Sequence, residues 1–397
     1  MKSLYRTDEG HPINRNRIDE FNQSIQYELL DAVREVIATD PLEMTKFIRR
    51  AEAAIAEFLG FPFAVGTNSG TTALRVALLA LGVKPGDEVI TVANSDMADT
   101  NAIVNTGAVP VFCDVKESDY TLDPAKVEAL ITDKTKVIMP VDLYGNPADI
   151  AALRPIAEKH GLLILQDAAL GILSMDHGQT AGHLADMVAF STSGTKLIHG
   201  IAYGGFVLAN DRKYERDCHL YAEYGVDYSL GTDDPFYGLR GQVANGCNVK
   251  MHPVDAAAIL VKRKYFDQFR ADRRQTLAWY AKHLTGIPNV YMPAFRESSA
   301  PAPRELVLRI VTPEGGSRKR NEVCLALRAD KVQCTMGFTP CYHKRDIAKR
   351  YPFRGTDNIP VSEMLDDQNL SLPCDISMSE EDVIRVCEDI RECMTKN

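Results

Sequence analysis

The sequence predicts an α/β protein with a mainly parallel sheet in a large domain, followed by a smaller C-terminal α/β domain. Two observations carry this prediction. Between residues 63 and 208, short runs that are apolar throughout alternate with segments of helical apolar spacing. Strands of that kind are typical of a parallel sheet covered by helices on both faces. After residue 210 helical patterns dominate, which indicates a second domain.

Two helices are predicted before the sheet. The first covers residues 20–37, and the second covers residues 45–59 and ends at Gly60, a residue type that favours a helix C-cap. Four apolar residues are expected on one face of the first helix: Leu29, Leu30, Val33 and Ile37.

Seven strands are predicted in the large domain, at residues 63–67, 88–92, 109–113, 136–141, 162–167, 187–190 and 204–208. Helical apolar spacing predicts helices over residues 71–81 and 150–160. With the helices between them, these strands are expected to form a sheet that is buried on both faces.

The remainder of the chain is predicted to be mostly helical. Helices are expected at residues 212–224, 254–284, 318–328 and 379–394, and strands at residues 289–292 and 305–311. Residues 298–303, rich in Ser, Ala and Pro, resemble a linker. We place the domain boundary so that residues 1–250 hold the N-terminal helices and the large domain, and residues 251–397 form the small domain.

Composition excludes several classes of protein. A net charge of −9 without a compensating basic segment argues against a nucleic-acid partner. No apolar run approaches the roughly 18 residues that would cross a membrane, and residues 1–9 lack the apolar core of a signal peptide. Nine cysteines without a Cys-x-x-Cys pair favour neither a zinc site nor a disulfide framework. We therefore expect a cytoplasmic protein with reduced thiols and no bound metal.

Lys196 lies in a short segment, Ser191-Thr192-Ser193-Gly194-Thr195-Lys196, between two predicted strands. That position combines firm support with partial exclusion of water, the conditions under which a lysine amine stays neutral and reacts with a carbonyl. Taken alone, a solvated surface lysine is the more common case.

Two further features fall at the carboxyl ends of predicted strands, where open α/β sheets bind ligands. Residues 68–72 have the sequence Asn-Ser-Gly-Thr-Thr at the start of a helix, which suits either an anion or a simple helix N-cap. Asp167 ends an apolar strand. A buried carboxylate there needs a cation or a protonated ligand nitrogen, although a helix N-cap is equally compatible.

A reactive lysine, an anion cradle and a buried carboxylate together indicate pyridoxal 5′-phosphate as cofactor. In that arrangement Lys196 forms the Schiff base and then acts as the base that carries a proton, while Asp167 keeps the pyridinium nitrogen protonated. A helix end alone supplies too little charge for a phosphate. Ser69, Thr71 and Ser191 are the right kind of additional donor.

Ordered motifs along the chain resemble the DegT/DnrJ/EryC1/StrS sugar aminotransferases, fold-type-I pyridoxal phosphate enzymes related to aspartate aminotransferase. The resemblance covers nearly the whole chain and implies the aspartate-aminotransferase-like fold, with a seven-stranded, mainly parallel sheet and a smaller C-terminal α/β domain. The motifs are residues 68–74 (NSGTTAL), 85–90 (PGDEVI), 143–149 (LYGNPAD), 166–169 (QDAA), 190–196 (FSTSGTK), 204–205, 210–211, 246–248 and 372–373.

The resemblance implies roles for matching positions. Lys196 would be the Schiff-base lysine and Asp167 the pyridinium partner. Phosphate binding would fall to Ser69, Gly70, Thr71 and Ser191. Asn248 would reach the phosphate of the neighbouring subunit, which implies a homodimer with shared active sites. Glutamate or glutamine would donate the amino group to a keto-sugar by a ping-pong mechanism, and the product would enter lipopolysaccharide, another glycan or an antibiotic.

The chain departs from the family pattern around the expected pocket. Asp96 stands where the family has an aromatic residue stacked on the cofactor ring, so Asp96 and Met97 are expected beside the ring. Either Met97 covers the ring face or the face is covered in a different way. The other departures are Asp142, Leu170, Ser193, Gly194 and Lys250. These departures leave the chemistry intact. They do not decide which keto compound accepts the amino group: a nucleotide-linked hexose, a cyclitol or a free acidic sugar such as an octulosonate.

Two alternative functions are less well supported. A sugar dehydratase of the same fold, which uses the pyridoxamine form of the cofactor, typically has histidine in place of Lys196, and its iron–sulfur version needs clustered cysteines. A non-catalytic regulator is disfavoured because Lys196, Asp167, Ser191 and Asn248 are all present. We interpret His199 as structural or solvated. A last set lies either against substrate or in a solvated loop: Tyr342, His343 and Lys344.

Overall fold

The computed structural model describes residues 12–15, 18–227, 241–338 and 340–395. The N-terminal stretch in which we found no signal peptide lies outside these residues. The first described helices are α1 (Ile18–Ser24), α2 (Gln26–Ile37) and α3 (Thr45–Leu59). Gly60 caps α3 with a φ of 79°, so the predicted end of that helix is confirmed.

The four apolar residues predicted on one face of the first helix are not all buried. Leu30 and Ile37 are 48% and 73% exposed, whereas Ile25 and Val36 are buried and Leu29 packs against the same core. The segment carries two adjacent apolar stripes. Only the stripe that faces the body of this chain is buried, and helical spacing alone does not distinguish the two.

The central sheet is formed by seven strands, as predicted. They are β1 (Phe63–Thr67), β2 (Glu88–Val92), β3 (Val109–Cys113), β4 (Thr135–Ile138), β5 (Leu163–Asp167), β8 (Met187–Ser191) and β9 (Gly205–Ala209). Between β5 and β8 lies a short hairpin of β6 (Met175–Asp176) and β7 (Gln179–Thr180).

The strand order is β1-β9-β8-β5-β4-β2-β3. The pairs from β8 to β3 are parallel, and only β9 runs antiparallel, to both of its neighbours. The sheet is therefore mainly parallel, as predicted. Because β1 points the same way as β8, the carboxyl ends of six strands meet at one edge of the sheet.

Helices cover both faces of this sheet. They are α4 (Gly70–Ala80), α5 (Met97–Val104), α6 (Pro124–Val127), α7 (Ile150–His160) and α8 (Glu215–Ala222). Two separate apolar cores result, because alternate strand residues such as Ile90 and Val89 face opposite sides. Helix α5 was not predicted, since its apolar residues follow no clear helical stripe.

The C-terminal part contains a three-stranded sheet in the order β10-β12-β13, formed by Val290–Tyr291, Glu305–Ile310 and Asn369–Pro373. Its helices are α9 (Pro253–Lys262), α10 (Phe266–Leu284), α11 (Arg318–Ala329), α12 (Pro360–Gln368) and α13 (Glu380–Thr395). The helical stretch predicted over residues 254–284 consists of two helices joined by a 3₁₀ turn. Helix α12 and strand β13 were not predicted.

Residues 298–303 are not a linker. Strand β11 (Ser299–Ala300) pairs with β6 of the large domain, and the N–H of Ala302 donates to Oγ of Ser174 (2.9 Å). Helix α9 packs against α2 and α3, so the part after residue 250 is joined to the N-terminal helices. The domain boundary at residue 250 stays a prediction.

Two general features bear on the expected class of protein. All nine cysteines are free thiols. None of the helices within the described ranges combines the length and apolarity needed to cross a membrane. Across those same ranges, His, Cys, Asp and Glu side chains form no group of three that could hold a metal ion.

Candidate active site

Lys196 lies in the connection between β8 and β9, a loop of residues 192–204. Backbone hydrogen bonds close the loop: the N–H of Thr192 donates to the oxygen of Gly204 (2.8 Å), and the N–H of Gly194 donates to the oxygen of Ala202 (2.9 Å). The N–H of Lys196 donates to the oxygen of Ser193 (2.9 Å). The lysine therefore has a supported backbone rather than a free-standing loop.

Helix α9 holds this loop from outside the sheet. Oδ1 of Asp255 accepts the N–H groups of Ile201 (2.8 Å) and Ala202 (2.7 Å), and the buried Lys262 amine donates to the oxygen of Gly200 (2.9 Å). A Cβ at Gly200 would lie 2.5 Å from Oδ1 of Asp255, so no side chain fits there. Sequence reasoning missed Asp255 and Lys262, because both lie more than 50 residues from the loop they support.

The surroundings of Lys196 favour a neutral amine. Burial lowers the pKa of Lys196 from its usual value, and the charge of Arg304 lowers it further, against the opposing charges of Asp167 and Asp96. Arg304 is anchored beside the loop, since its Nε donates to the oxygen of Thr195 (2.8 Å). No hydrogen bond from Nζ of Lys196 is made to any residue that the structure describes. The amine is thus available to a ligand.

Asp167 is the last residue of β5 and is only 4% exposed. Its Oδ1 accepts the N–H of Ala169 (2.8 Å), which fixes the carboxylate in the turn after the strand. A second carboxyl group, that of Asp99 on α5, lies within hydrogen-bonding contact of it. The sequence did not point to Asp99.

The segment predicted to bind an anion or to cap a helix forms an N-cap at the start of α4, and its role in binding an anion stays a prediction. Ser69 is the N-cap: its Oγ accepts the N–H of Thr72 (3.2 Å), and Oγ1 of Thr72 accepts the N–H of Ser69 (3.1 Å). A Cβ at Gly70 would lie 2.6 Å from Cβ of Ser191, which shows how closely β8 approaches the helix. Ser69, Gly70, Thr71 and Ser191 are therefore neighbours.

Asp96 and Met97 lie at the start of α5, on the same edge of the sheet. Asp96 is the N-cap of this helix, and its Oδ1 accepts the N–H of Ala98 (2.9 Å). Met97 is 61% exposed. Their predicted role beside a cofactor ring stays a prediction, supported by the electrostatic influence of Asp96 on Lys196.

Asn248 and Lys250 lie on a segment that runs past the carboxyl end of β1. Asn248 is exposed and forms a bridge to Glu223, and Lys250 forms a bridge to Thr67. The Lys250 amine lies 5.8 Å from the centre of the Tyr224 ring. Asn248 is thus free to contact another subunit, and its predicted contact with a partner's phosphate stays a prediction.

Asp142 is a buried carboxyl group under the site. Its Oδ1 accepts the N–H of Ala148 (2.9 Å) and an N–H of Gln166 (2.7 Å), while Oδ2 has no partner among the described residues. Burial raises the pKa of Asp142 to about 7. Asp142 supports the turns after β4 and β5 from below, because its own N–H donates to the oxygen of Asp167 (2.9 Å).

His199 is structural, as interpreted from the sequence. It is 1% exposed, Nδ1 contacts the oxygen of Lys196 (3.1 Å), and its ring stacks on Phe269 with centres 5.9 Å apart. Burial lowers the pKa of His199 well below its usual value. The imidazole is therefore neutral and shapes the lysine loop from behind.

Residues 342–344 do not form a solvated loop. Tyr342 is buried with Phe112, the His343 Nε2 lies 3.0 Å from a carboxylate oxygen of Glu363, and the Lys344 amine donates to Asp366 (2.9 Å). Helix α12 therefore fixes this segment. Contact of these residues with substrate stays a prediction.

The carboxyl edge of the sheet thus brings together a half-buried lysine with a lowered pKa, a buried aspartate and a helix N-terminus with hydroxyl donors. This fold and this site define the class of aspartate-aminotransferase-like α/β enzymes. The model of the DegT/DnrJ/EryC1/StrS aminotransferase family matches residues 23–391.

Individual relatives agree with that match. GDP-perosamine synthase of Caulobacter vibrioides is 32% identical over 342 residues, 86% of this chain and 88% of that protein. dTDP-3-amino-3,4,6-trideoxy-alpha-D-glucose transaminase of Micromonospora megalomicea subsp. nigra is 30% identical over 374 residues, 93% of this chain and 95% of that protein. The crystal structure of S. venezuelae DesV in complex with a ketimine intermediate is 27% identical, with a TM-score of 0.86 over 97% of this chain and 99% of that one. This chain belongs to the DegT/DnrJ/EryC1/StrS aminotransferase family.

Proposed function

We propose that this protein is a pyridoxal 5′-phosphate-dependent aminotransferase that moves an amino group from glutamate or glutamine to a keto-sugar, nucleotide-linked or free. One observation carries the proposal. The Lys196 amine has a lowered pKa, makes no hydrogen bond to the described residues, and lies on the same sheet edge as Asp167 and the α4 N-terminus.

The residues at this edge fit the cofactor. The N–H groups of Gly70 and Thr71, at the start of α4, have no intrahelical acceptors and could bind an anion. Ser69 and Ser191 add hydroxyl groups beside them. The absence of a side chain at Gly70 lets Ser191 approach the helix start, because a Cβ there would collide with Ser191. Asp167 offers a buried carboxylate of the kind that pairs with a protonated ring nitrogen. When bound, pyridoxal phosphate supplies an electrophilic aldehyde and a ring that takes up the electrons left when a neighbouring C–H loses its proton.

Each protein group then has a separate task. Lys196, whose pKa is lowered by burial and by the charge of Arg304, would hold the cofactor through its amine and, when free, would hold and move a proton at Nζ. Asp167, held by the N–H of Ala169, keeps a proton on the ring nitrogen by presenting a negative charge to it. The hydroxyl and N–H groups around Gly70 orient the phosphate.

We also propose that the protein is a homodimer with shared active sites. Large apolar side chains are exposed on the N-terminal helices and around the lysine loop: Tyr27 (75%), Ile37 (73%), Leu42 (90%), Met97 (61%) and Tyr203 (72%). Large exposed apolar side chains are a feature of interaction surfaces when they lie together. Those near the lysine loop support a partner that completes the site, and the exposed Asn248 would contribute to it.

The setting follows from the same proposal. Nine free thiols are typical of the reducing cytoplasm. The amino sugar would serve the assembly of a glycan, with lipopolysaccharide as one destination.

The experiment is a product analysis. The chain, loaded with pyridoxamine phosphate, is offered a panel of keto-sugars that are nucleotide-linked, cyclic or free acids, and the products are identified by mass spectrometry and NMR. The proposal predicts an amine at the former carbonyl carbon, with glutamate or glutamine restoring the cofactor. A product that has lost a hydroxyl group would identify a sugar dehydratase instead.

A further inference from the structure

Asp99 and Asp167 form a contact between two buried carboxyl groups under the candidate cofactor ring. Asp99, the third residue of α5, is fully buried, and Asp167 is 4% exposed. The two side chains lie within hydrogen-bonding contact. The remaining neighbours of Asp99 are the Ser95 hydroxyl, which donates to Oδ2, and the charge of Asp96 at the start of the helix.

Oδ1 of Asp99 is a buried oxygen without a donor from any described residue. Asp167 is in hydrogen-bonding contact with this carboxyl group, whose Oδ2 already accepts from Ser95, and ionised carboxylate oxygens only accept hydrogen bonds. Two ionised carboxylates in contact, both removed from water, repel each other strongly. A proton between them converts this repulsion into a hydrogen bond, so the pair holds one proton.

The surroundings place this proton on Asp99. Asp167 has a further stabilising contact for a negative charge, because Oδ1 accepts the N–H of Ala169 (2.8 Å). Asp99 is the more deeply buried of the two, and Ser95 is its only hydrogen-bond donor among the described residues. Burial, followed by the charge of Asp167, raises the pKa of Asp99 well above its usual value.

We propose that Asp99 is a positioning residue that stays protonated, donates a hydrogen bond from Oδ1 to Asp167, and keeps the pair at a single negative charge. The proposal rests on the proposed function, because that charge matches the single positive charge of a protonated ring nitrogen. No proton is transferred in this role. The hydrogen bond fixes the orientation of the Asp167 carboxylate toward the ring nitrogen that it would meet.

Asparagine at position 99 closely mimics the protonated form of Asp99. It is isosteric and uncharged, its N–H can donate to Asp167, and its oxygen can accept from Ser95. Leucine is of similar size and donates nothing. Comparing Asp99→Asn with Asp99→Leu therefore separates the donor from the volume of the side chain.

The first measurement counts protons in the cofactor-free full chain. Because folding raises the pKa of Asp99, the wild type carries a stabilising proton at low pH and loses that stability as pH rises above the usual aspartate range. Denaturant unfolding at several pH values between 5 and 8 gives the free energy of unfolding as a function of pH. Its fall with rising pH should correspond to one more proton per chain in the wild type than in D99N. Equal slopes would overturn the proposal. D96N, which removes a nearby exposed charge, should keep the extra proton.

The second measurement follows the visible absorbance of the bound cofactor against pH. D99N should keep the wild-type midpoint, whereas D99L should shift it, because the carboxylate under the ring has lost its donor. An equal shift in both variants would contradict the proposal, and D99N keeps the test decisive if D99L fails to fold. Failure of the chain to bind the cofactor would count against the proposed function, while the proton count would still decide the state of Asp99.

Discussion

The Lys196 amine owes its chemistry to groups from three separate elements. Burial in the loop and the charge of Arg304 both favour the neutral form, while Asp167 and Asp96 favour the charged form. The net result is a lowered pKa. A neutral amine is a nucleophile and a charged one is not, so the balance at this atom sets the pH range of the enzyme.

Replacing Arg304 by glutamine should raise the pKa of Lys196, because one of the two causes of its lowering is removed. The expected result is that reaction of Lys196 with an amine-selective reagent, followed by mass spectrometry of its peptide, moves to higher pH. Arg304→Lys is the matched control, since it keeps the positive charge and should stay nearer to the wild type. Identical pH profiles for the wild type and R304Q would show that Arg304 has no electrostatic effect on the amine.

Asp142 gives a stability prediction at the same scale. Burial raises the pKa of Asp142 from 3.8 to about 7, so the folded state binds a proton that the unfolded state releases. The resulting stability is fully present below about pH 4 and is lost as pH rises through about 7. D142N should therefore gain roughly 3–4 kcal/mol relative to the wild type between pH 4 and pH 8. Urea unfolding of both proteins at a series of pH values measures this, and a pH-independent difference would contradict it.

Sequence patterns located those site residues that lie at the ends of apolar strands. Lys196, Asp167 and Ser191 each follow a run that must be a strand, so the topology of a parallel sheet brings them to one edge. Arg304 and Asp99 were missed because their partners lie 60 or more residues away and leave no local pattern. Only the folded chain shows those contacts.

At the scale of elements, the lysine loop depends on α9 as much as on its own strands. Asp255 accepts two loop N–H groups through one oxygen and partly offsets the buried charge of Lys262, whose pKa burial lowers to about 7. The connection between β8 and β9 is thus held from a helix outside the sheet.

Replacing Asp255 by alanine should loosen this loop. Two N–H groups lose a charged acceptor, which costs on the order of 1.5–3 kcal/mol, and Lys262 loses its opposing charge. We expect a lower urea midpoint together with weaker retention of the cofactor on dialysis. Asp255→Asn keeps an acceptor oxygen in place and should be milder. Full stability and cofactor retention in D255A would remove the proposed role of α9.

Elements were predictable where one pattern dominates. The seven strands of the sheet are apolar throughout, and α3 has a clear stripe and a glycine cap, so their positions follow from local chemistry. Helix α2 has two apolar stripes, and helical spacing alone does not show which of them is buried. Residues 298–303 lack any periodicity, yet pair with β6 through distant contacts.

At the scale of the whole molecule, the proposal of shared sites makes a quantitative prediction. Subunits carrying K196A are mixed with subunits carrying N248D, each inactive alone, and allowed to exchange. If Asn248 completes the partner's site, half of the dimers are mixed and each has one intact site, so about a quarter of wild-type activity returns. No recovery in dimers shown by mass to be mixed would place Asn248 outside the partner's site.

The most direct test of the central claim is to locate the residue that bonds to the cofactor. The full chain is incubated with pyridoxal phosphate, reduced with borohydride, digested, and its peptides are analysed by mass spectrometry. The account predicts a single adduct on Lys196 and none on K196A, whose other lysines serve as the internal control. An adduct on a different lysine, or equal labelling of K196A and the wild type, would contradict it.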